Sequence, residues 1–329
     1  MRILFIAPTR VGDAVLSSGV LGWLSRAYPH ARITVACGTG AAQLFEAHPQ
    51  LDSLIPLKKE PNLGHWRMLW RRVGFTRWHT VVDLRRSAMP WLVWARRRAV
   101  PPKGVPGEHR LITMGKALGL DPAPVPTVWT SADDRRRAQS LLGSRRPLLV
   151  LAPTANWRAK VWPAERFAAL VERLTGPGAR LEDALVCVTG GPGEDRQARP
   201  VIEAVPKHRR VAAVGLDLRA TAAIFAESRL FIGNDSGLMH LAAAAGAPTL
   251  GLFGPTDDTL YAPWSDRAQV VRTPESVAEI TGQPGFHHKT ADTQMTSLTL
   301  DTVDRAARDL LGRTEDCGPR VGAPDKPVI

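Results

Sequence analysis

The sequence predicts an α/β protein made of two domains, each with a parallel sheet. Short apolar runs bounded by turn residues alternate with longer stretches of helical character, as strand–helix units of a parallel sheet do. That alternation restarts after Pro147, and 329 residues are enough for two domains of ordinary size. A composition of 44% hydrophobic and 22% charged residues excludes disorder of the whole chain. The 28 glycines and 27 prolines have no period and read as loops.

Residues 3–7 are a compact apolar run, followed by a loop and a helical stretch over 14–28. Residues 32–36 and 80–84 read as further strands. The second series begins with a strand over 148–152 and a helix over 163–174, with Pro163 in its first turn. It continues with strands at 185–189, 230–233 and 248–253, and helices at 219–228 and 238–245. An amphipathic helix over 301–311 closes the pattern. The expected domains are therefore 1–143 and 148–311, joined by a hinge at Gly143-Ser144-Arg145-Arg146-Pro147. A polar tail, 312–329, is expected to be flexible.

Lys and Arg number 43 against 31 Asp and Glu, a net charge of +12. That excess suits an anionic partner: nucleic acid, an acidic membrane surface or a phosphorylated substrate. Cys37, Cys187 and Cys317 form neither a disulfide framework nor a zinc pattern, which fits a reducing compartment. Residues 1–16 lack the charged and apolar regions of a signal peptide. The longest apolar stretch, 88–95, is far short of the ~20 residues that span a bilayer. The expectation is a soluble cytoplasmic protein, or one resting on a membrane from the cytoplasmic side.

Ligands of open parallel sheets bind at the carboxyl ends of strands. That rule nominates the loops 8–13, 152–162, 189–195 and 233–239, and a cleft between facing domains would bring the first against the other three. Asp13 stands where a helix begins and reads either as a charge complementing the helix dipole or as a general base. The second loop carries Trp157, Arg158, Lys160 and Trp162: a phosphate clamp, or a solvated basic loop with Trp162 as a packed staple. Thr189-Gly190-Gly191-Pro192-Gly193 has neither the P-loop nor the dinucleotide spacing, and Gly38-Thr39-Gly40 lacks the third glycine, which weakens NAD and ATPase readings. In Gly233-Asn234-Asp235-Ser236-Gly237-Leu238-Met239-His240, small residues at a strand-to-helix turn let amides approach an anion. Asp235 suits sugar hydroxyls or a simple cap, and His240 suits a ligand contact or a core position. No metal-ligand cluster appears, and no cofactor is expected.

Residues 58–103 hold twelve Lys and Arg against two acids, with Trp66, Trp70, Trp78, Trp91 and Trp94 interleaved. The stretch 66–73 reads as a basic amphipathic helix, suited to an anionic membrane or to a core with a solvated face.

Taken in order, several motifs resemble one family. They are Met1-Arg2-Ile3-Leu4 with Gly12-Asp13, Lys160 with Trp162-Pro163, Thr189-Gly190-Gly191-Pro192, the run 234–240, and Phe253-Gly254-Pro255-Thr256-Asp257. Over roughly residues 1–311 the chain resembles the ADP-heptose:lipopolysaccharide heptosyltransferases, glycosyltransferase family 9. The resemblance implies the GT-B fold of two facing Rossmann-like domains, the first binding acceptor and the second a nucleotide-sugar donor. It implies inverting transfer of heptose onto a lipopolysaccharide core or other anionic glycolipid, without a metal. By the same resemblance Asp13 is the general base and Lys160 stabilises the departing diphosphate. Asp235 meets the donor sugar, Ser236 and Gly237 lie against the diphosphate, and Thr189, Gly190, Gly191 and His240 are further donor-site residues. Peripheral contact with the inner membrane is expected through 58–103, and no nucleic acid. Two alternatives stand beside this: a nucleotide-sugar epimerase of the same fold, and a basic nucleic-acid-binding protein, which the 234–240 loop argues against.

Overall fold

The computed structural model describes residues 1–143, 146–288 and 290–315. The chain forms two compact units, Met1–Ser131 and a second beginning at Ala132. In the first unit the elements are β1 (Arg2–Ile6), α1 (Val11–Ala27), β2 (Arg32–Gly38), β3 (Leu51–Leu57), α2 (Gly64–Val73), β4 (Trp78–Asp83), α3 (Met89–Leu92), β5 (Ala95–Ala99) and α4 (Arg110–Gly115). Its sheet is parallel in the order β3-β2-β1-β4-β5. The second unit contains α5 (Ala132–Leu142), β6 (Leu148–Ala152), α6 (Ala164–Thr175), β7 (Leu185–Gly190), α7 (Asp195–Ala204), β8 (Arg210–Val214), α8 (Leu218–Ala226), β9 (Leu230–Asn234) and α9 (Gly237–Ala244). It ends with β10 (Thr249–Phe253), α10 (Asp258–Tyr261), β11 (Ala268–Arg272), α11 (Val277–Thr281) and α12 (Leu300–Glu315). Its sheet is also parallel, in the order β11-β10-β9-β6-β7-β8. The expected α/β class of GT-B type, with two Rossmann-like units, is what the chain adopts.

Interior strands are apolar because helices cover both faces of a parallel sheet. Every residue of β6, β9 and β10 is buried. In α6 the buried Phe167, Leu170, Val171 and Leu174 recur at helical spacing and join the core of the second sheet. Each such side chain contributes roughly 1.5–3 kcal/mol of burial. Cys37 in β2 and Cys187 in β7 are buried, and burial pushes both thiols up to about 12, which leaves them packing residues rather than nucleophiles.

The division between units, at Ser131 and Ala132, falls ahead of the hinge expected at 143–147. Helix α5 packs on α8, where Arg137 Nη1 lies 3.2 Å from Asp217 Oδ2 and Arg219 Nε lies 3.5 Å from the buried Asp134 Oδ2. Those contacts attach 132–142 to the second unit. Ser144 and Arg145 of the hinge lie outside the described residues. Residues 312–315 of the expected tail continue α12, and 316–329 lie outside the described residues. Among the described residues no helix is long and apolar enough to cross a membrane.

Candidate active site

Each sheet has one place where the strand order reverses, and open sheets of this kind bind ligands in the crevice beyond the carboxyl ends of the two strands that meet there. In the second unit those strands are β6 and β9, paired with Ala152 opposite Gly233. The loop after β6 brings Lys160, and the loop after β9 brings Asp235. The Lys160 ammonium donates to the Asp235 carbonyl oxygen at 2.7 Å and to its Oδ2 at 3.2 Å. Both side chains are nearly buried, at 10% and 11% exposure. The Trp157 ring lies 5.2 Å from the ammonium, adding a cation–π contact. Such a buried pair adds little net stability, because desolvation offsets most of the attraction. Its consequence is a positioned cation with two of its three protons engaged.

The loop is held from three sides. The Trp162 amide donates to Asn234 Oδ1 at 3.1 Å. The Trp162 indole, fully buried against Phe167, donates to the Leu298 carbonyl at 2.8 Å. The Gln294 amide donates to the Ala159 carbonyl at 3.0 Å, and Thr293 Oγ1 to the Val161 carbonyl at 2.5 Å. Trp162 is thus the staple that its position allowed. Lys160 is buried rather than solvated, while Arg158 is exposed and pairs with an equally exposed Asp292.

Three polar atoms on these two loops are buried without a hydrogen-bond partner: Thr154 Oγ1, Asn234 Nδ2 and Ser236 Oγ. An unsatisfied buried polar group costs roughly 1–3 kcal/mol. Ser236 precedes α9 in extended conformation, and its side chain makes no cap bond. The α9 amino end therefore favours an anion. Thr154 and Asn234 were not singled out as contacts from the sequence. The available signal for Thr154 was a hydroxyl just past the carboxyl end of a central strand.

The third glycine-rich loop contributes shape. Thr189 Oγ1 donates to the Ala213 carbonyl at 3.2 Å, and the Gly191 amide donates to Glu194 Oε2 at 2.7 Å. A Cβ on Gly190 would sit 3.1 Å from Thr154 Cγ2 and 3.3 Å from its Oγ1, so the glycine makes room for that side chain. Gly237 opens α9, and His240 is buried within it.

In the first unit the reversal lies between β1 and β4, with Ile6 opposite Asp83. Asp13 stands half-buried in the first turn of α1, whose cap position is Arg10, so Asp13 is not the cap. The turn is reached because Gly38 lacks a side chain: a Cβ there would meet the Thr9 carbonyl oxygen at 2.4 Å. Asp83, fully buried, accepts from the Arg85 amide at 2.9 Å, the Ser87 amide at 2.7 Å and Ser87 Oγ at 2.5 Å.

Residues 79–284 match the family model described as glycosyltransferase family 9 (heptosyltransferase). That span runs from β4 through the Lys160 and Asp235 loops to α11. The chain is 26% identical to lipopolysaccharide heptosyltransferase 2 of Salmonella typhimurium, covering 83% of this chain and 88% of the relative. It is 27% identical to lipopolysaccharide heptosyltransferase 1 of Pseudomonas aeruginosa, covering 78% and 79%. Among solved structures it resembles a family 9 glycosyltransferase from Veillonella parvula, with a TM-score of 0.76 at 22% identity over 95% of this chain and 97% of the other. ADP-heptose lipopolysaccharide heptosyltransferase II of E. coli gives a TM-score of 0.72 at 22% identity, over 96% and 100%. With the matched span holding both loops of the second crevice, the chain belongs to glycosyltransferase family 9, the heptosyltransferases.

Proposed function

We propose that this glycosyltransferase moves a heptose, with inversion, from an ADP-activated donor onto a lipopolysaccharide core acceptor. The observation that carries the reading is the buried Lys160 held on Asp235 beside three unsatisfied polar atoms, at the crevice where an open sheet binds ligands. The named relatives are lipopolysaccharide heptosyltransferases, which supplies the sugar and the acceptor class.

In this mechanism Asp13 takes the proton of the acceptor hydroxyl as that oxygen attacks the anomeric carbon. The bond from that carbon to the diphosphate oxygen breaks, and ADP leaves with the electron pair. Lys160 and the amino end of α9, at Ser236 and Gly237, offset the charge that grows on the leaving group. Asp235 orients the sugar through its hydroxyls while holding Lys160. Thr189, Gly190 and Gly191 shape the donor side, with His240 behind the α9 turn. Because the acceptor is a membrane glycolipid, the reading places the enzyme at the cytoplasmic face of the inner membrane.

Thermal shift with ADP, UDP, GDP and CDP tests the donor. A ligand at a hundred times its Kd stabilises by about 2.7 kcal/mol, so the correct base stands out. A selective ADP shift is expected, and a selective UDP or GDP shift would move the enzyme to another sugar. Asp13→Asn is expected to abolish transfer while keeping the ADP shift. A lost ADP shift with transfer retained would reverse the roles given to Asp13 and Lys160.

A further inference from the structure

We propose that one face of the first unit, formed by Trp70, Phe75, Trp91, Leu92 and Trp94, docks on an anionic bilayer surface. This deepens the reading above by naming the surface that would meet the membrane.

The basic, tryptophan-rich stretch 58–103 sorts itself into two populations. Leu69 and Val73 of α2 enter the core, with Trp66 and Met68 packed beside it, and Trp78 is buried as well. The apolar stripe of α2 is therefore consumed internally, and α2 is not a helix laid flat on a membrane. What remains outside is a different set: Phe75 is 84% exposed, Trp94 73%, Trp91 63%, Leu92 57% and Trp70 39%. The Trp70 and Phe75 rings are 5.5 Å apart, and the Trp70 indole donates to the Leu92 carbonyl at 3.0 Å. Arg98 braces the turn that carries the others, donating from Nε to the Pro90 carbonyl at 2.7 Å. The fold thus holds exposed aromatic groups in place and leaves them unburied. Exposed apolar groups held together, as Trp70, Phe75 and Leu92 are, with Trp91 and Trp94 exposed on the same short segment as Leu92, mark an interaction surface.

Charge selects the partner. Arg71, Arg72, Arg77 and Arg96 are exposed next to these aromatics in the chain, and none pairs with an acid among the described residues. Of the two acids in 58–103, Asp83 is fully buried and bonded to its own loop, and Glu60 lies at the far end. Indole rings prefer the boundary between headgroups and acyl chains, while arginines bind anionic headgroups and bury their stems. Exposed aromatics interleaved along the chain with arginines that pair with no acid among the described residues match that boundary in both respects.

The test is co-sedimentation with vesicles of phosphatidylethanolamine and phosphatidylglycerol, with phosphatidylcholine vesicles as the comparison. Binding to the phosphatidylglycerol vesicles, weakened by salt and accompanied by a blue shift of tryptophan emission, is expected. The doubly substituted Trp91→Ser/Trp94→Ser protein should bind about tenfold more weakly with an unchanged melting temperature. Arg71→Gln and Arg72→Gln should each weaken binding roughly fivefold. Wild-type-like vesicle binding by the tryptophan variant, or no binding by the parent protein, would overturn the proposal. Tighter binding of single-stranded DNA than of vesicles, lost in the same variant, would reassign the face to nucleic acid. Vesicle binding without an ADP thermal shift would sink the transfer reading and leave the docking surface standing.

Discussion

Asp83 and Asp235 occupy equivalent places in the two units: each lies at the carboxyl end of a strand that flanks the reversal of its sheet. They are put to opposite uses. Asp83 spends both carboxylate oxygens on its own loop, accepting from the Arg85 amide and from the Ser87 amide and hydroxyl. Asp235 holds a lysine from another loop and stands among polar atoms with no partner. An aspartate at a ligand-binding crevice is therefore not by that position a ligand contact. What separates the two is whether the carboxylate closes on its own loop or holds a cation brought by another loop.

Lys160→Ala gives the largest separation. Turnover should fall at least ~100-fold, since a positioned charge on a leaving group is often the largest catalytic contribution. The same change leaves Asp235 buried without its partner, destabilising the fold by about 3 kcal/mol. Adding Asp235→Asn to Lys160→Met should restore most of the stability and none of the transfer. Recovery of activity in that double variant would mean the pair is structural.

Asp83→Asn is the mirror experiment. The amide keeps one accepting oxygen and faces its NH2 toward the remaining donors, so one or two of the three lose their partner. This should cost about 1–3 kcal/mol in denaturant unfolding, with kcat within a few-fold of the parent. A kcat loss as large as that of Lys160→Ala would erase the distinction between the two aspartates.

His48 sharpens the comparison from outside either crevice. Its Nδ1 accepts from the Gln50 amide at 3.1 Å, so Nε2 carries the proton toward Ser25 Oγ at 2.7 Å, and the ring packs edge-on to Trp129. Burial lowers its pKa from 6.5 to about 4. The unfolded chain therefore takes up a proton before the folded one does. The His48 contribution is complete above pH 6.5, declines as pH falls toward 4, and amounts to about 3 kcal/mol. Unfolding curves of His48→Gln should lack that part of the acid decline. An unchanged slope would place the acid sensitivity elsewhere.

The smallest effect is expected at Thr154→Val. Removing a hydroxyl that has no partner should leave the melting temperature unchanged or raise it slightly. If that hydroxyl serves the nucleotide, ADP should bind about fivefold more weakly. Lower stability with unchanged ADP affinity would give Thr154 to the fold.

The seven interior strands, β1, β2, β4, β6, β7, β9 and β10, were all legible as apolar runs, because both of their faces are covered. The four edge strands, β3, β5, β8 and β11, were not. Edge residues face solvent and carry polar or charged side chains, as in Ala95–Ala99 with its three exposed arginines, which also discourage pairing with another chain. The boundary between units was missed because the attachment of α5 depends on α8, far along the chain.

At the site, the strand-to-helix rule and the family motifs were enough to nominate Lys160, Asp235 and Asp13. Local spacing could not tell whether Lys160 is solvated or buried, nor that Thr154 comes to lie unsatisfied beside Gly190. The sequence by itself determined the two-unit α/β plan and the loops that carry polar side chains, because periodicity and turn residues act along the chain. Only the tertiary structure decided which aspartate holds a lysine, which hydroxyl lacks a partner and which tryptophans stay exposed. Those outcomes depend on what each side chain meets across elements, and residues far apart in the chain supply it.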